Sequence, residues 1–482
     1  MKQFEPSFRL PPTSLRDKLK TVLRWIFPLT FIAKLVQSLF QTLLGRFLGS
    51  KILVKPLRNL PEKGKLLPNL TSHIAWEKIC NDAVRQNEDH QWGYIPTDLQ
   101  NNLHIQHKAL RTHDRALIEH SCVGAKNLFN KTMLWDPDTK VVCFFPGRGQ
   151  DYFPMLPWMT LAAQDMGCVF ASLNHRGVGF SPKSNIQQGP EWTAYYRELL
   201  GLYKQAPEKM VLRVAQQLRK KSANKASHMV NDGMALVGHY LQQGIKPKNI
   251  TLWGYSMGGV GLMVAARYKQ IFKKFTQKGW EKNQKLVDYG QWLFGAQNPE
   301  SLKVLIAEYQ RDTFEFNVIA DRTYTSFSRA VVGRIRTALD NHPRLAKIVF
   351  YIMWPIVKFI QVLCKWELDI IKAFKKLHHK LKISVTVSGG DNQPVDSKIH
   401  PKSAALHKKL HEQGHFESDV HYEQGHMYPN ITHPDNSPDI LSKWAHVAMP
   451  PVLFMKDGTR FTQYVKEFVE QCDKERASAK LS

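Results

Sequence analysis

Three residues stand in a chain order that could carry out acyl transfer: Ser256, then Asp391, then His426. Attack by a serine hydroxyl needs a base to take its proton. It also needs a carboxylate to orient that base, and donors for the developing oxyanion. Ser256 is the centre of Gly254-Tyr255-Ser256-Met257-Gly258, a G-x-S-x-G pentapeptide. Residues 249–253 before it read as a short buried strand, and residues 259–268 after it read as a helix. A strand, a sharp turn and a helix hold the serine in a strained conformation at the apex and project its hydroxyl above a sheet. Gly254 and Gly258 remove side chains that would collide in so tight a turn. The competing reading of the pentapeptide is an ordinary glycine-rich turn.

His426 is the expected base. Residues 420–423 read as a late strand, and a histidine just beyond it can swing back over the serine; His421 is the second choice. Asp391 follows Gly389-Gly390 at the end of an apolar run, 383–388, where an orienting carboxylate is needed. Asp396, five residues on, is the alternative acid. The first oxyanion donor is expected to be the backbone N–H of Met257, the residue after the nucleophile. The second is expected from Arg148, in the loop Phe145-Pro146-Gly147-Arg148-Gly149-Gln150.

Such parts need a scaffold. Apolar runs at 140–145, 168–173, 249–253, 316–320, 383–388 and 420–423 alternate with helical patterns at 155–166, 229–243, 257–270, 325–338, 402–413 and 459–472. That alternation predicts an α/β fold with a mostly parallel central sheet and helices on both faces. Residues 103–106 and 116–120 suit an antiparallel opening hairpin. Residues 1–95 read as an N-terminal amphipathic helical extension and linker, 96–472 as the catalytic domain, and 473–482 as a polar tail. Helical insertions are expected at 182–228, a candidate lid; at 271–315, without a functional reading; and at 344–376, interrupted at Pro355.

The chain from about 100 to 472 resembles the α/β-hydrolase superfamily. Besides the pentapeptide, Asn174-His175-Arg176-Gly177-Val178-Gly179-Phe180-Ser181 is similar to the R-G-x-G-x-S turn of many members. Asp321-Arg322-Thr323-Tyr324-Thr325-Ser326 looks like a D-R-x-x-x-S segment found in proteins of intracellular bacteria, chlamydial ones included. The layout also resembles lipase-type effectors that Legionella-type secretion delivers into host cells. The resemblance implies the α/β-hydrolase fold and a Ser256–Asp391–His426 triad. Where many members carry His-Gly in the oxyanion loop, this chain has Pro146-Gly147.

Composition sets the wider bounds. The 482 residues are 43% hydrophobic and 22% charged, ordinary for a globular protein. The net charge of +26 is unusual. It predicts attraction to polyanions. Residues 1–60 hold eleven Lys/Arg against two Asp/Glu, and residues 344–380 hold eight against two, both mixed with large apolar side chains. That mixture suits an anionic membrane surface better than a nucleic-acid groove, so a membrane is the expected macromolecular contact and nucleic acid is not. Packing of these helices on the catalytic domain is the opposing view.

Six scattered cysteines without C-x-x-C predict reduced thiols. His411-Glu412-Gln413-Gly414-His415 matches the zinc-protease signature, but Gly414 should end the helix before the second histidine. No metal or cofactor is expected. Met1 to Pro12 lack a secretory pattern. The expected location is cytoplasmic or peripheral to a membrane, with entry into a host cell by a non-Sec route as a further possibility. The expected function is a serine hydrolase of an ester or thioester, with a lipid-like acyl substrate. The alternatives are an acyltransferase with the same triad and a membrane-docking or host-interaction protein with a vestigial site. Oligomeric state is open.

Overall fold

The computed structural model describes residues 103–125 (115 apart), 128, 136–147, 152, 155–176, 226–311, 314–339, 342–363, 366–389, 393–394, 405–413, 425–429, 453–454 and 459–481. The expectations for 1–102, for most of the 182–228 insertion, and for Arg148, Asp391, Asp396, His415 and 420–423 lie outside them.

The chain opens with β1 (Leu103–Arg111) and β2 (Leu117–Ala125), an antiparallel pair in register from Leu103↔Ala125 to Arg111↔Leu117. Then come β3 (Val141–Phe145), α1 (Leu156–Met166), β4 (Val169–Asn174), α2 (Ala226–Gln242), β5 (Ile250–Tyr255) and α3 (Val260–Phe275). Helices α4 (Gln284–Phe294) and α5 (Pro299–Arg311) precede β6 (Asn317–Asp321). Helices α6 (Phe327–Ala338), α7 (Pro343–Leu363) and α8 (Ile370–Lys376) precede β7 (Lys382–Gly389). The short β8 (Gln393–Pro394), α9 (Leu406–Glu412), β9 (Gly425–Pro429), β10 (Leu453–Phe454) and α10 (Phe461–Leu481) follow.

Among the described residues the strands form one sheet in the order β1-β2-β4-β3-β5-β6-β7-β9-β10, with β8 beside β7. From β4 through β9 neighbours run parallel; β2 joins β4 antiparallel. This is the α/β-hydrolase fold, with the turn after the central β5 at the middle of the sheet's C-terminal edge.

The central strands are apolar throughout because both faces are covered. Side chains alternate between two cores. Val141, Cys143, Phe145, Leu252 and Ala320 face α2 to α5 and α8. Val142, Phe144, Phe170, Trp253, Tyr255 and Ile319 face α1 and α10. The insertion at 271–315 is therefore structural: Val287, Leu293, Leu302 and Ile306 of α4 and α5 belong to the first core. The described cysteines, Cys122, Cys143, Cys168 and Cys472, are buried and not joined in disulfides.

Three expectations change. Helix α7 runs through Pro355 without interruption. Residues 473–481 are not a polar tail but the continuation of α10. Arg476 there is buried and donates to Asn317 Oδ1 at 2.7 Å. His426 lies within a strand, 425–429, and not just beyond one.

Candidate active site

The elbow is built as its sequence predicts. Tyr255 ends β5 in extended conformation (φ −100°, ψ 126°), and Ser256 turns to φ +52°. A positive φ is costly for any residue with a Cβ, by roughly 1–2 kcal/mol. A single 3-10 turn, Ser256–Gly259, feeds directly into α3, so the serine stands at that helix's positive end. Close approach makes the two glycines obligatory. A Cβ on Gly258 would collide with the Phe145 carbonyl oxygen, and one on Gly254 would lie 2.6 Å from the Gly258 carbonyl oxygen. The elbow is thus wedged against the end of β3, beside buried Pro146 and Gly147, where the loop expected to supply an oxyanion donor begins. Ser256 and Met257 are themselves buried. The first of the expected oxyanion donors therefore sits beside the nucleophile and next to the loop expected to supply the second; Arg148 itself is outside the described residues.

What holds the strained turn was not read from the sequence. Thr323, in the segment after β6, donates its hydroxyl to the Ser256 carbonyl at 2.7 Å, wholly buried. The same side chain abuts Gly259, where a Cβ would strike its Oγ1. Thr323 is placed by its own neighbours. Its carbonyl accepts from Leu406 N–H at 3.0 Å, and Tyr324 bridges to Ala405.

Just before it, Asp321 and Arg322 form a buried pair, Nε to Oδ1 2.7 Å and one terminal nitrogen to Oδ2 3.1 Å. Trp253 Nε1 also donates to Asp321 Oδ2 at 3.1 Å. The guanidinium lies 4.7 Å over the Tyr255 ring. Arg322 has φ +44°, and its N–H donates to Val385 O at 3.0 Å. The chain thus departs abruptly at two adjacent strand ends, β5 and β6, with a neutralised pair between them. Breaking such a pair by removing one partner typically costs about 3–5 kcal/mol.

A second buried cluster anchors the segment after β4. Arg176 donates through Nε to Asp232 Oδ1 at 2.7 Å and through its two terminal nitrogens to Asp114 at 2.7 and 3.0 Å. Its backbone N–H donates to Asp232 Oδ2 at 3.0 Å. Burial pushes both carboxyls upward, but the hydrogen bonds and charge of Arg176 outweigh it and hold them below the usual carboxylate range. His175 Nδ1 lies 3.5 Å from Asp232. This cluster fixes the chain where the 182–228 insertion leaves the sheet.

His426 is placed by its backbone. The register Tyr255↔Asp321, Asp321↔Val385 and Val385↔Gly425 makes one row across the sheet. One residue further, His426 pairs with Thr386 on β7. It therefore stands level with Ser256 but three strand spacings away, roughly 14 Å at about 4.8 Å each. Nothing in the described geometry brings the two together, and Asp391 is outside the described residues.

Burial pushes the Cys168 and Cys472 thiols up to about 12, so neither is a thiolate near neutral pH. Helix α9 ends at Glu412, ahead of His415, so it does not carry the H-E-x-x-H segment on one helical face. Its His407 instead packs on the sheet, with Nδ1 2.9 Å from Ser384 O. No group of three or more potential metal ligands occurs among the described residues.

No family model matches the sequence, and no curated protein matches it significantly. Solved structures do. An esterase of Pyrococcus furiosus is similar over 69% of this chain and 83% of its own, at 11% identity and a TM-score of 0.34. An esterase of Rhizomucor miehei is similar over 86% and 94%, at 9% identity and a TM-score of 0.39. A post-proline cleaving enzyme of Rickettsia typhi is similar over 78% of this chain and 38% of its own, at 13% identity and a TM-score of 0.33.

Proposed function

We propose that the protein is a serine hydrolase that cleaves an ester or thioester through an acyl-enzyme on Ser256. The observation that carries this reading is the φ of +52° at Ser256. A serine is held in a left-handed turn at a helix N-terminus, at the central strand's end, by glycines that admit no Cβ. Strain of this kind clusters at functional sites, and this turn would present the serine hydroxyl to a carbonyl carbon.

In the proposed reaction the Ser256 oxygen attacks the acyl carbonyl, and His426 takes the hydroxyl proton. The backbone N–H groups of Met257 and Arg148 stabilise the tetrahedral oxyanion. The leaving alcohol or thiol receives the proton from His426, and water then releases the acid by the reverse sequence. Asp391 orients His426, with Asp396 as the alternative acid. The β7–β9 ladder pairs only Val385, Thr386 and Val387 with Gly425, His426 and Met427. For His426 to serve, this short pairing must give way so that the segment folds over the elbow.

A lipid-like acyl chain is the proposed substrate class, supported by the basic, apolar stretches of the sequence. An acyltransferase would use the same steps with an acceptor alcohol in place of water. The proposed setting is the cytoplasm or a membrane surface. Delivery into a host cell rests on the resemblance in layout and is tested by a translocation reporter fused to the chain.

Labelling with a fluorophosphonate probe tests the mechanism. Wild type should label and Ser256→Ala should not, with ester turnover lost by about 10⁴-fold or more while the melting temperature is kept. A folded wild-type protein that does not label would favour a vestigial site. Product analysis with and without an added alcohol separates hydrolase from transferase.

A further inference from the structure

We propose that the exposed face of α7 is a docking surface for an anionic lipid bilayer, on which the helix lies parallel to the membrane plane. Helix α7 is packed on one side only. Ala346, Phe350 and Gln361 are buried, and Met353, Trp354 and Val357 are half-buried beside them. These positions recur at three- and four-residue spacing and form one face.

The opposite face is apolar and open. Ile348, Ile352, Ile356 and Phe359 lie one above another along it, with Phe359 65% and Ile352 57% exposed. Leu345 and Val362 extend the stripe to about 26 Å at about 1.5 Å per residue. Over Arg344–Val362 the mean hydropathy is 1.6, yet only 17% of that window is buried. A contiguous exposed stripe of this kind marks an interaction surface.

Charge selects the occupant. Arg344, Lys347 and Lys358 are the only charged residues of α7. By helical spacing they line one flank of the helix, between the apolar stripe and the packed side at Trp354. The partner helix α6 adds Arg329, Arg334 and Arg336 and no acid. Trp354 lies beneath two of these cations, 5.0 Å from Arg329 and 5.2 Å from Lys358. A second copy of this chain brings the same +26 charge, and residues 1–60 hold eleven basic residues against two acidic ones, so both are electrostatically opposed. An anionic bilayer supplies negative charge at its surface and hydrocarbon just below it. The helix is long enough to cross a membrane, but Lys347 and Lys358 interrupt it and one side is committed to the protein, which favours lying flat.

The surface is mechanically joined to the elbow. The α6–α7 hairpin is closed at its base by Phe327 N–H to Leu368 O at 3.1 Å, and Ser328 donates to Glu367. Thr325 O accepts from Ile370 N–H at 3.0 Å. These bonds lie directly after Thr323, which holds Ser256. Docking through α7 therefore fixes the sheet's C-terminal edge relative to the lipid surface.

The test is vesicle sedimentation with the full chain carrying Ser256→Ala, so that the result is independent of the hydrolase reading. Phosphatidylserine/phosphatidylcholine vesicles should bind at least about 10-fold more tightly than phosphatidylcholine alone, and added salt should weaken the binding. Lys347→Gln and Lys358→Gln should each weaken it about 5-fold, the equivalent of about 1 kcal/mol per basic residue. Ile352→Ser/Ile356→Ser/Phe359→Ser should weaken it at least 10-fold with the melting temperature unchanged. If that triple variant does not fold, the two lysine variants decide alone. Equal binding to neutral vesicles, or lysine and triple variants that bind like the parent, would overturn the proposal. So would a dimer in sedimentation velocity that the triple variant dissolves.

Discussion

Replacing Thr323 by valine isolates the part of the site that strain alone cannot supply. Valine keeps the shape that packs on Gly259 and removes only the hydroxyl that donates to the Ser256 carbonyl. The abandoned carbonyl is buried, so the loss should be about 1–3 kcal/mol. That is comparable to the roughly 1–2 kcal/mol that the left-handed serine costs. The elbow should therefore relax in a substantial fraction of molecules. Because the donor is local, the melting temperature should fall by only a few degrees. The rate of fluorophosphonate labelling should fall by about 5- to 150-fold, the range that 1–3 kcal/mol spans. Thr323→Ser restores the donor and should recover most of the rate. The assay is the second-order labelling rate of pure, folded protein, which reads the nucleophile without a substrate. Labelling of Thr323→Val at the wild-type rate would refute the reasoning. Equal losses in the serine and valine variants would show that the methyl contact, and not the hydrogen bond, holds the turn.

Three further outcomes are expected. His426→Ala should abolish ester turnover and not add to Ser256→Ala, whereas His421→Ala should be mild; the reverse, read in steady-state kinetics, would reassign the base. Asp391→Asn should cost about 10⁴-fold in turnover and Asp396→Asn little; the opposite ranking would move the acid to the later position. Asp232→Asn should destabilise the fold by about 3–5 kcal/mol in urea denaturation, because Arg176 loses a buried counter-charge. Asp114 and Asp232 are both held below the ordinary carboxylate range. Their stabilisation is therefore complete above the unfolded pKa near 4 and is lost as pH falls below it. Acid unfolding should begin under about pH 4 in wild type and be less pH-dependent in Asp232→Asn.

The sheet was legible because parallel, doubly covered strands announce themselves as short apolar runs such as Val141–Phe145. The elbow was legible because its glycines are required by contacts within a few residues and with the adjacent strand end. Long-range polar partnerships were not. Nothing local marks Thr323 as the partner of Ser256, or Arg476 as the partner of Asn317, 159 residues away. His426 was read as lying beyond a strand because residues 425–429 mix apolar and polar side chains, and only pairing with β7 brings them into the sheet. Pro355 was read as a break because it lacks an N–H. The helix persists because Phe350, Trp354 and Gln361 on its packed side span the proline. The candidate triad was legible as an order of residue types, and only its nucleophile has a geometry that the fold makes explicit.

The position of α10 has a consequence for synthesis. Phe461, Val465, Phe468 and Val469 cover the sheet face that presents Val142, Phe144, Phe170 and Trp253. Thr462 donates to Asp165 across 297 residues of chain. At about 5–20 residues per second, a ribosome needs roughly 15–60 s to make that interval. Within it β4, β5, β6 and β7 join the strands already made, while the helix that closes over their aromatic face does not yet exist. The face that carries Phe144, Phe170 and Trp253 is therefore closed only when the last helix of the chain has been made.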